Sequence, residues 1–259
     1  MKIAVAGKGG VGKTTLTALL ARYLAKQGRS VIAVDADPVA NLGAALGIPD
    51  AHTITPIALM TELIEERTGS KKGYGRFFTL NPRVDDLPER FSRTVDGIRL
   101  MVLGGVTSGG SGCFCPESAV LRALVTHLLL RRDEVVLMDM EAGIEHLGRA
   151  TAAAVSAMIV VVEAGKRSIA AAHAIHHLAS QLPISPVVAV ANKVPPTVDG
   201  ADLEAALSPM PLIGRLPYDA QVARADLEGT AVYCGRPEQD AMIREIVDGL
   251  TRALTSVGK

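Results

Sequence analysis

Tryptophan is absent from the 259 residues, and with four tyrosines and four phenylalanines the aromatic share is 3%. That leaves few of the flat side chains on which single-stranded nucleic acids stack their bases. Excess charge is missing too, since 27 Lys and Arg are matched by 27 Asp and Glu. Without a broad positive field, neither nucleic acid nor an anionic membrane is an expected partner. No apolar run reaches the ~18 residues that a membrane span needs. No signal-peptide pattern follows Met1-Lys2-Ile3, which leads straight into strand-like sequence. Cysteine is scarce, at three residues, and Cys113 and Cys115 stand one residue apart, where a disulfide between them would be badly strained. A reducing, cytoplasmic setting is expected.

Hydrophobic sequence is plentiful, at 48%, enough for one large core, and a single domain over residues 1–259 is expected. Apolar runs recur at residues 2–6, 30–34, 98–103, 134–138, 157–162, 187–191 and 212–213, with helix-length segments between most of them. Strands apolar throughout are buried on both faces, so the pattern predicts an α/β fold, a doubly wound, mostly parallel sheet with helices on both faces. Thr55-Pro56 reads as a helix start and Gly69 as a stop. Residues 71–96, rich in Gly, Pro, Arg and Asp and without a clear period, read as a surface excursion.

Between the first strand and a helical run from Leu16 to Leu24 lies Gly7-Lys8-Gly9-Gly10-Val11-Gly12-Lys13-Thr14, which fits G-x-x-x-x-G-K-[ST]. Gly9, Gly10 and Gly12 can take backbone angles closed to other residues, so that successive N–H groups, Val11 included, form a nest for a polyphosphate at a helix N-terminus. Lys13 is placed to reach the β- and γ-phosphates and Thr14 to ligate Mg²⁺, with Thr15 alongside. The expected fold is that of the P-loop nucleoside triphosphatases.

Lys8 resembles the signature lysine of the deviant Walker A ATPases, the family holding MinD, ParA, ArsA and the nitrogenase iron protein. The resemblance implies an ATPase that works as a nucleotide-gated homodimer, with Lys8 reaching the phosphates bound by the partner. Asp35 and Asp37 follow the second strand, two apart and therefore on one side near a strand end. Asp37 matches the family position that orients the attacking water, and Asp35 would hold the Mg²⁺ water shell from further back. A turn-capping Asp is the alternative for each. After the fourth apolar run, Asp139 ends a Walker B pattern and would bind Mg²⁺ through water, while Gly143 resembles the glycine that senses the terminal phosphate. Glu141 is a departure, because another acid near phosphates repels them unless it points at metal or partner.

Asn192-Lys193 resembles the family's base-recognition site, and Pro217-Tyr218-Asp219 its second base loop, though simple turns also account for both. Cys113-Phe114-Cys115 stands in a Gly-rich loop, and thiolates suit Zn²⁺ or Ni²⁺. A helix N-terminus would lower the cysteine pKa. Two thiols are half a tetrahedral site, which the same pair from a second subunit would complete. Incidental thiols remain the alternative.

End to end, through Asp37-Pro38, the C-x-C loop, residues 142–146, Asn192-Lys193-Val194 and Pro217-Tyr218-Asp219, the chain resembles the CooC family of carbon monoxide dehydrogenase maturation ATPases. That resemblance implies ATP-driven nickel insertion, carbon monoxide dehydrogenase as client, and one Ni²⁺ or Zn²⁺ shared by Cys113 and Cys115 of two subunits. The rivals are a MinD- or ParA-type positioning ATPase and an iron–sulfur electron-transfer ATPase. His173, His176 and His177 share one helix face and read as a half-buried surface before they read as ligands. The apolar stripe from Met242 to Leu254 reads as packing against the domain.

Overall fold

The computed structural model describes residues 1–70, 77–104, 115–131, 134–141, 152, 154–233 and 235–257. The strands are β1 (Lys2–Gly7), β2 (Val31–Asp35), β3 (Arg93–Val95), β4 (Ile98–Val102), β5 (Val135–Asp139), β6 (Ala157–Val162), β7 (Val187–Val194) and β8 (Leu212–Pro217). The α-helices are α1 (Lys13–Lys26), α2 (Leu42–Ala45), α3 (Thr61–Thr68), α4 (Leu87–Phe91), α5 (Pro116–Arg131), α6 (Lys166–Ser180), α7 (Gly200–Leu207), α8 (Ala220–Glu228) and α9 (Pro237–Val257).

These strands form one sheet in the order β3-β4-β2-β5-β1-β6-β7-β8, parallel but for the β3–β4 pair. Alternation along each strand divides its apolar side chains between two cores. Ile3, Val5, Val31, Ala33, Val135 and Leu137 meet Leu16, Leu19 and Leu20 of α1 and Ile243, Ile246 and Leu250 of α9. Ala4, Ile32, Val34, Val136, Met138 and Val160 meet residues of α3, α5, α6 and α7 on the other face. The doubly wound sheet is thus as the strand pattern predicts.

Three local expectations change. Thr55-Pro56 opens a 3-10 turn, Ile57–Leu59, and the α-helix begins only at Thr61, although Gly69 ends it in a left-handed conformation as expected. Residues 77–96 are not a bare excursion. They hold α4 and β3, bury Val84 and Leu87, and tie Asp86 to Arg67 and Arg90 at 2.7 and 2.9 Å. Asp96 and Gly97, at φ 43° and 79°, make the tight turn that returns β3 to β4. Residues 71–76 lie outside the described residues. Finally, β7 runs on through Asn192, Lys193 and Val194.

The stripe on α9 packs against the domain because two glycines admit it. A Cβ on Gly214 would lie 2.3 Å from Ile246 Cγ1, and one on Gly249 would lie 2.8 Å from Ile213 Cβ. Gly214→Ala is therefore expected to lower stability by about 1–3 kcal/mol through overpacking. A urea midpoint equal to the parent's would show that α9 yields at no cost. Among the described residues, no helix is long and apolar enough to cross a membrane.

Candidate active site

Parallel pairing puts the carboxyl ends of β1, β2, β5, β6 and β7 along one edge of the sheet, the edge at which open α/β sheets bind ligands. The chain leaves β1 through Gly7 and turns into α1 at Lys13. Gly10 and Gly12 sit at φ 81° and 95°, in the left-handed region. A Cβ on Gly12 would lie 2.2 Å from Asn192 Nδ2, and one on Gly7 would lie 2.5 Å from the Val161 carbonyl oxygen. Neither position admits a side chain. Lys8, Gly9 and Gly10 are exposed at the tip of the loop, whereas Lys13 is buried at the head of α1.

Asp35 and Asp139 are register partners on β2 and β5, and alternation turns both toward the face that α1 covers. Thr14 Oγ1 donates to Asp139 Oδ2 at 2.6 Å. Asp139 Oδ1 is buried and has no hydrogen-bond partner. Burial pushes the Asp139 carboxyl up to about 7, opposed by the Thr14 hydrogen bond and Lys13 and reinforced by Asp35 and Asp37. Hard oxygen donors with one buried oxygen unsatisfied fit Mg²⁺.

Asp35 is fully buried, and its two oxygens accept from the backbone N–H groups of Asp37 at 3.2 Å and Leu42 at 2.9 Å. Burial raises its carboxyl to about 6 despite those bonds. Its visible task is to anchor the loop from 36 to 42, on which Asp37 stands. Asp37 is half-buried, and its Oδ1 accepts from Val39 N at 2.9 Å, so the turn-capping bond is present. Glu141 is exposed. Gly143 and residues 142–146 lie outside the described residues.

On the other side of the loop, Asn192 Nδ2 donates to the Val11 carbonyl at 2.8 Å, which commits part of the proposed base-reading amide to the phosphate loop. Lys193 Nζ donates to the Gly10 carbonyl at 2.7 Å and pairs with Glu163 Oε1 at 2.9 Å. Glu163 was not singled out from the sequence. Its position just past an apolar run, where parallel strands deliver ligand-facing residues, is the signal that marks it. Pro217 ends β8, and Asp219 caps α8 by accepting from Gln221 N at 2.9 Å while pairing with Arg236. Its carboxylate is held by its own helix and Arg236.

Cys115 stands just before α5, half-buried, with Sγ 3.1 Å from Ser118 Oγ. Here the expected pKa is corrected: burial pushes the Cys115 thiol up, against the lowering bonds from Ser118 and with Glu117 adding to the rise. Cys113 and Phe114 lie outside the described residues, as does Cys234. Among the described residues, no three His, Cys, Asp or Glu side chains converge on a metal-sized site. His173 lies half-buried on α6 with Nε2 2.9 Å from the Ala206 carbonyl oxygen, and His177 is exposed, in keeping with a helix surface.

Comparison with known proteins agrees with this geometry. The family described as the CobQ/CobB/MinD/ParA nucleotide binding domain matches residues 2–232. The carbon monoxide dehydrogenase accessory protein CooC of Rhodospirillum rubrum is 46% identical over 90% of this chain and 89% of its own length. An uncharacterised ATP-binding protein of Methanocaldococcus jannaschii is 42% identical over 90% of this chain and 91% of its own. Among solved structures, the MinD cell division protein of Aquifex aeolicus superposes with a TM-score of 0.69 at 20% identity, covering 98% of this chain and 96% of that one. The ParA family ATPase of Chlorobium tepidum gives 0.67 at 18% identity, over 96% and 97%. At such identity the solved structures speak for the fold.

Proposed function

Since the chain belongs to the CobQ/CobB/MinD/ParA nucleotide-binding family and is a P-loop ATPase, we propose that it spends ATP to insert nickel into a carbon monoxide dehydrogenase. In this reading it cycles between an open state and an ATP-closed homodimer. The observation that carries the reading is the 46% identity with CooC over 90% of the chain. A thiol at the head of α5 supports it.

The chemistry follows from the residues around the loop. Val11, Gly12 and Lys13 bind the β- and γ-phosphates through backbone N–H groups and the Lys13 ammonium. Thr14 and Asp139 would hold Mg²⁺, which when bound supplies positive charge to the phosphate oxygens. Asp37, on the loop that Asp35 anchors, orients water for in-line attack on the γ-phosphorus, and the bond to the β–γ bridging oxygen breaks as phosphate leaves. Lys8 crosses to the phosphates of the partner subunit and so makes association depend on ATP. Closure brings Cys113 and Cys115 of both subunits around one ion, and opening after hydrolysis releases it to the client.

Nickel is therefore expected to bind at one ion per dimer, more tightly with a non-hydrolysable ATP analogue. Cys113→Ala and Cys115→Ala are each expected to abolish tight binding, because a two-fold axis removes two ligands per substitution. Equilibrium dialysis across a protein concentration series reads both. One ion per monomer, or affinity indifferent to the cysteines, would place the metal elsewhere.

A further inference from the structure

Two adjacent residues of β7 grip the phosphate loop from behind. Asn192 is buried and holds the Val11 carbonyl, and Lys193 holds the Gly10 carbonyl while Glu163 holds Lys193. In a regular strand such neighbours point to opposite faces. Lys193 departs from that rule. It sits at φ 53°, in the left-handed region, where the pairing of β7 with β8 shifts register between Ala191 and Val194. The irregularity turns both side chains onto one loop. A non-glycine residue keeps such a conformation only where its surroundings hold it, and such sites concentrate around function.

What the grip does follows from the peptide unit. In a trans peptide, the carbonyl and the next residue's N–H point in opposite directions. Drawing the Gly10 carbonyl back to Lys193 Nζ therefore aims the Val11 N–H the other way, toward the mouth of the loop, where it makes only a long bond of 3.4 Å to the Lys8 carbonyl that a phosphate oxygen can replace, and drawing the Val11 carbonyl to Asn192 aims that of Gly12. These are two of the N–H groups that a polyphosphate nest needs. Gly12 also belongs to the device, since only a residue without Cβ leaves room for the Asn192 amide.

We propose that Lys193 and Glu163 are positioning residues of the ATP site, which with Asn192 lock the Gly10–Val11 and Val11–Gly12 peptide planes so that their N–H groups converge on the phosphates. The proposal depends on ATP binding alone and holds whatever the client or the metal. It also separates a phosphate role at these positions from a base-reading one, since the first acts on any polyphosphate and the second only on nucleotides.

The test uses inorganic tripolyphosphate, which has no base, beside ATP and GTP. Lys193→Ala is expected to weaken tripolyphosphate and ATP by the same factor, about tenfold or more, the scale of a lost charge-assisted hydrogen bond. KM for ATP should rise more than kcat falls, and the preference for ATP over GTP should stay at the parent's value. Glu163→Ala, at a side chain 42% exposed, is expected to keep the fold and weaken both ligands about threefold, the scale of a partly exposed ion pair. Lys193→Arg should recover part of the loss. Unchanged tripolyphosphate affinity in Glu163→Ala and Lys193→Ala would overturn the proposal. If Lys193→Ala does not fold, unchanged affinity in Glu163→Ala overturns it alone. A loss confined to nucleotides, with altered base preference, would overturn it in favour of base reading.

Discussion

Lys13→Ala is expected to abolish tight ATP binding, whereas Lys8→Ala leaves binding to one subunit near the parent's and removes ATP-dependent association and hydrolysis. The two lysines share one loop but occupy different surroundings. Lys13 is buried at the first position of α1, behind the nest, so its ammonium serves only a ligand seated there. Losing a charge-assisted contact in so dry a place weakens binding by about 100-fold. Lys8 is exposed at the outer tip and can serve a phosphate across an interface. Sedimentation with a non-hydrolysable ATP analogue, alongside direct nucleotide binding, separates the two. A Lys8→Ala protein that still associates with ATP would end the cross-subunit reading.

Asp37→Asn is expected to keep ATP and lose hydrolysis by a factor of about 10²–10⁴, the scale of a lost general base or water-positioning group. Three carboxylates gather near this edge, and their surroundings distinguish them. Asp35 is fully buried on two backbone N–H groups, and Asp139 lies under the Thr14 hydroxyl. Only Asp37 of the three reaches solvent appreciably. An asparagine oxygen can still accept from Val39 N, so the turn survives and the loss belongs to chemistry. Single-turnover hydrolysis by the variant is the measurement, and a parental rate would move the role to another residue.

Much of this was legible in the chain because it is written in local pattern. Runs apolar throughout announced a sheet covered on both faces, and the glycines before Lys13 announced a phosphate nest, since both depend on neighbours in sequence. The β3–β4 hairpin is missed by that reading, although Asp-Gly in Val95-Asp96-Gly97-Ile98 favours the two left-handed angles the turn adopts, because the polar, aperiodic sequence before it gives β3 no strand pattern of its own.

What the sequence alone determined is the class of fold and the phosphate loop. The tertiary structure decided how those parts are held. Strand register set Asp35 beside Asp139 and turned both toward α1, and then burial raised both carboxyls and set Asp35 to anchoring a loop. The irregular end of β7 brought Asn192 and Lys193, some 180 residues along the chain, onto the carbonyls of Val11 and Gly10. Spacing along a chain fixes which residues share a face, but contacts between distant strands depend on register and on backbone angles that no local pattern specifies.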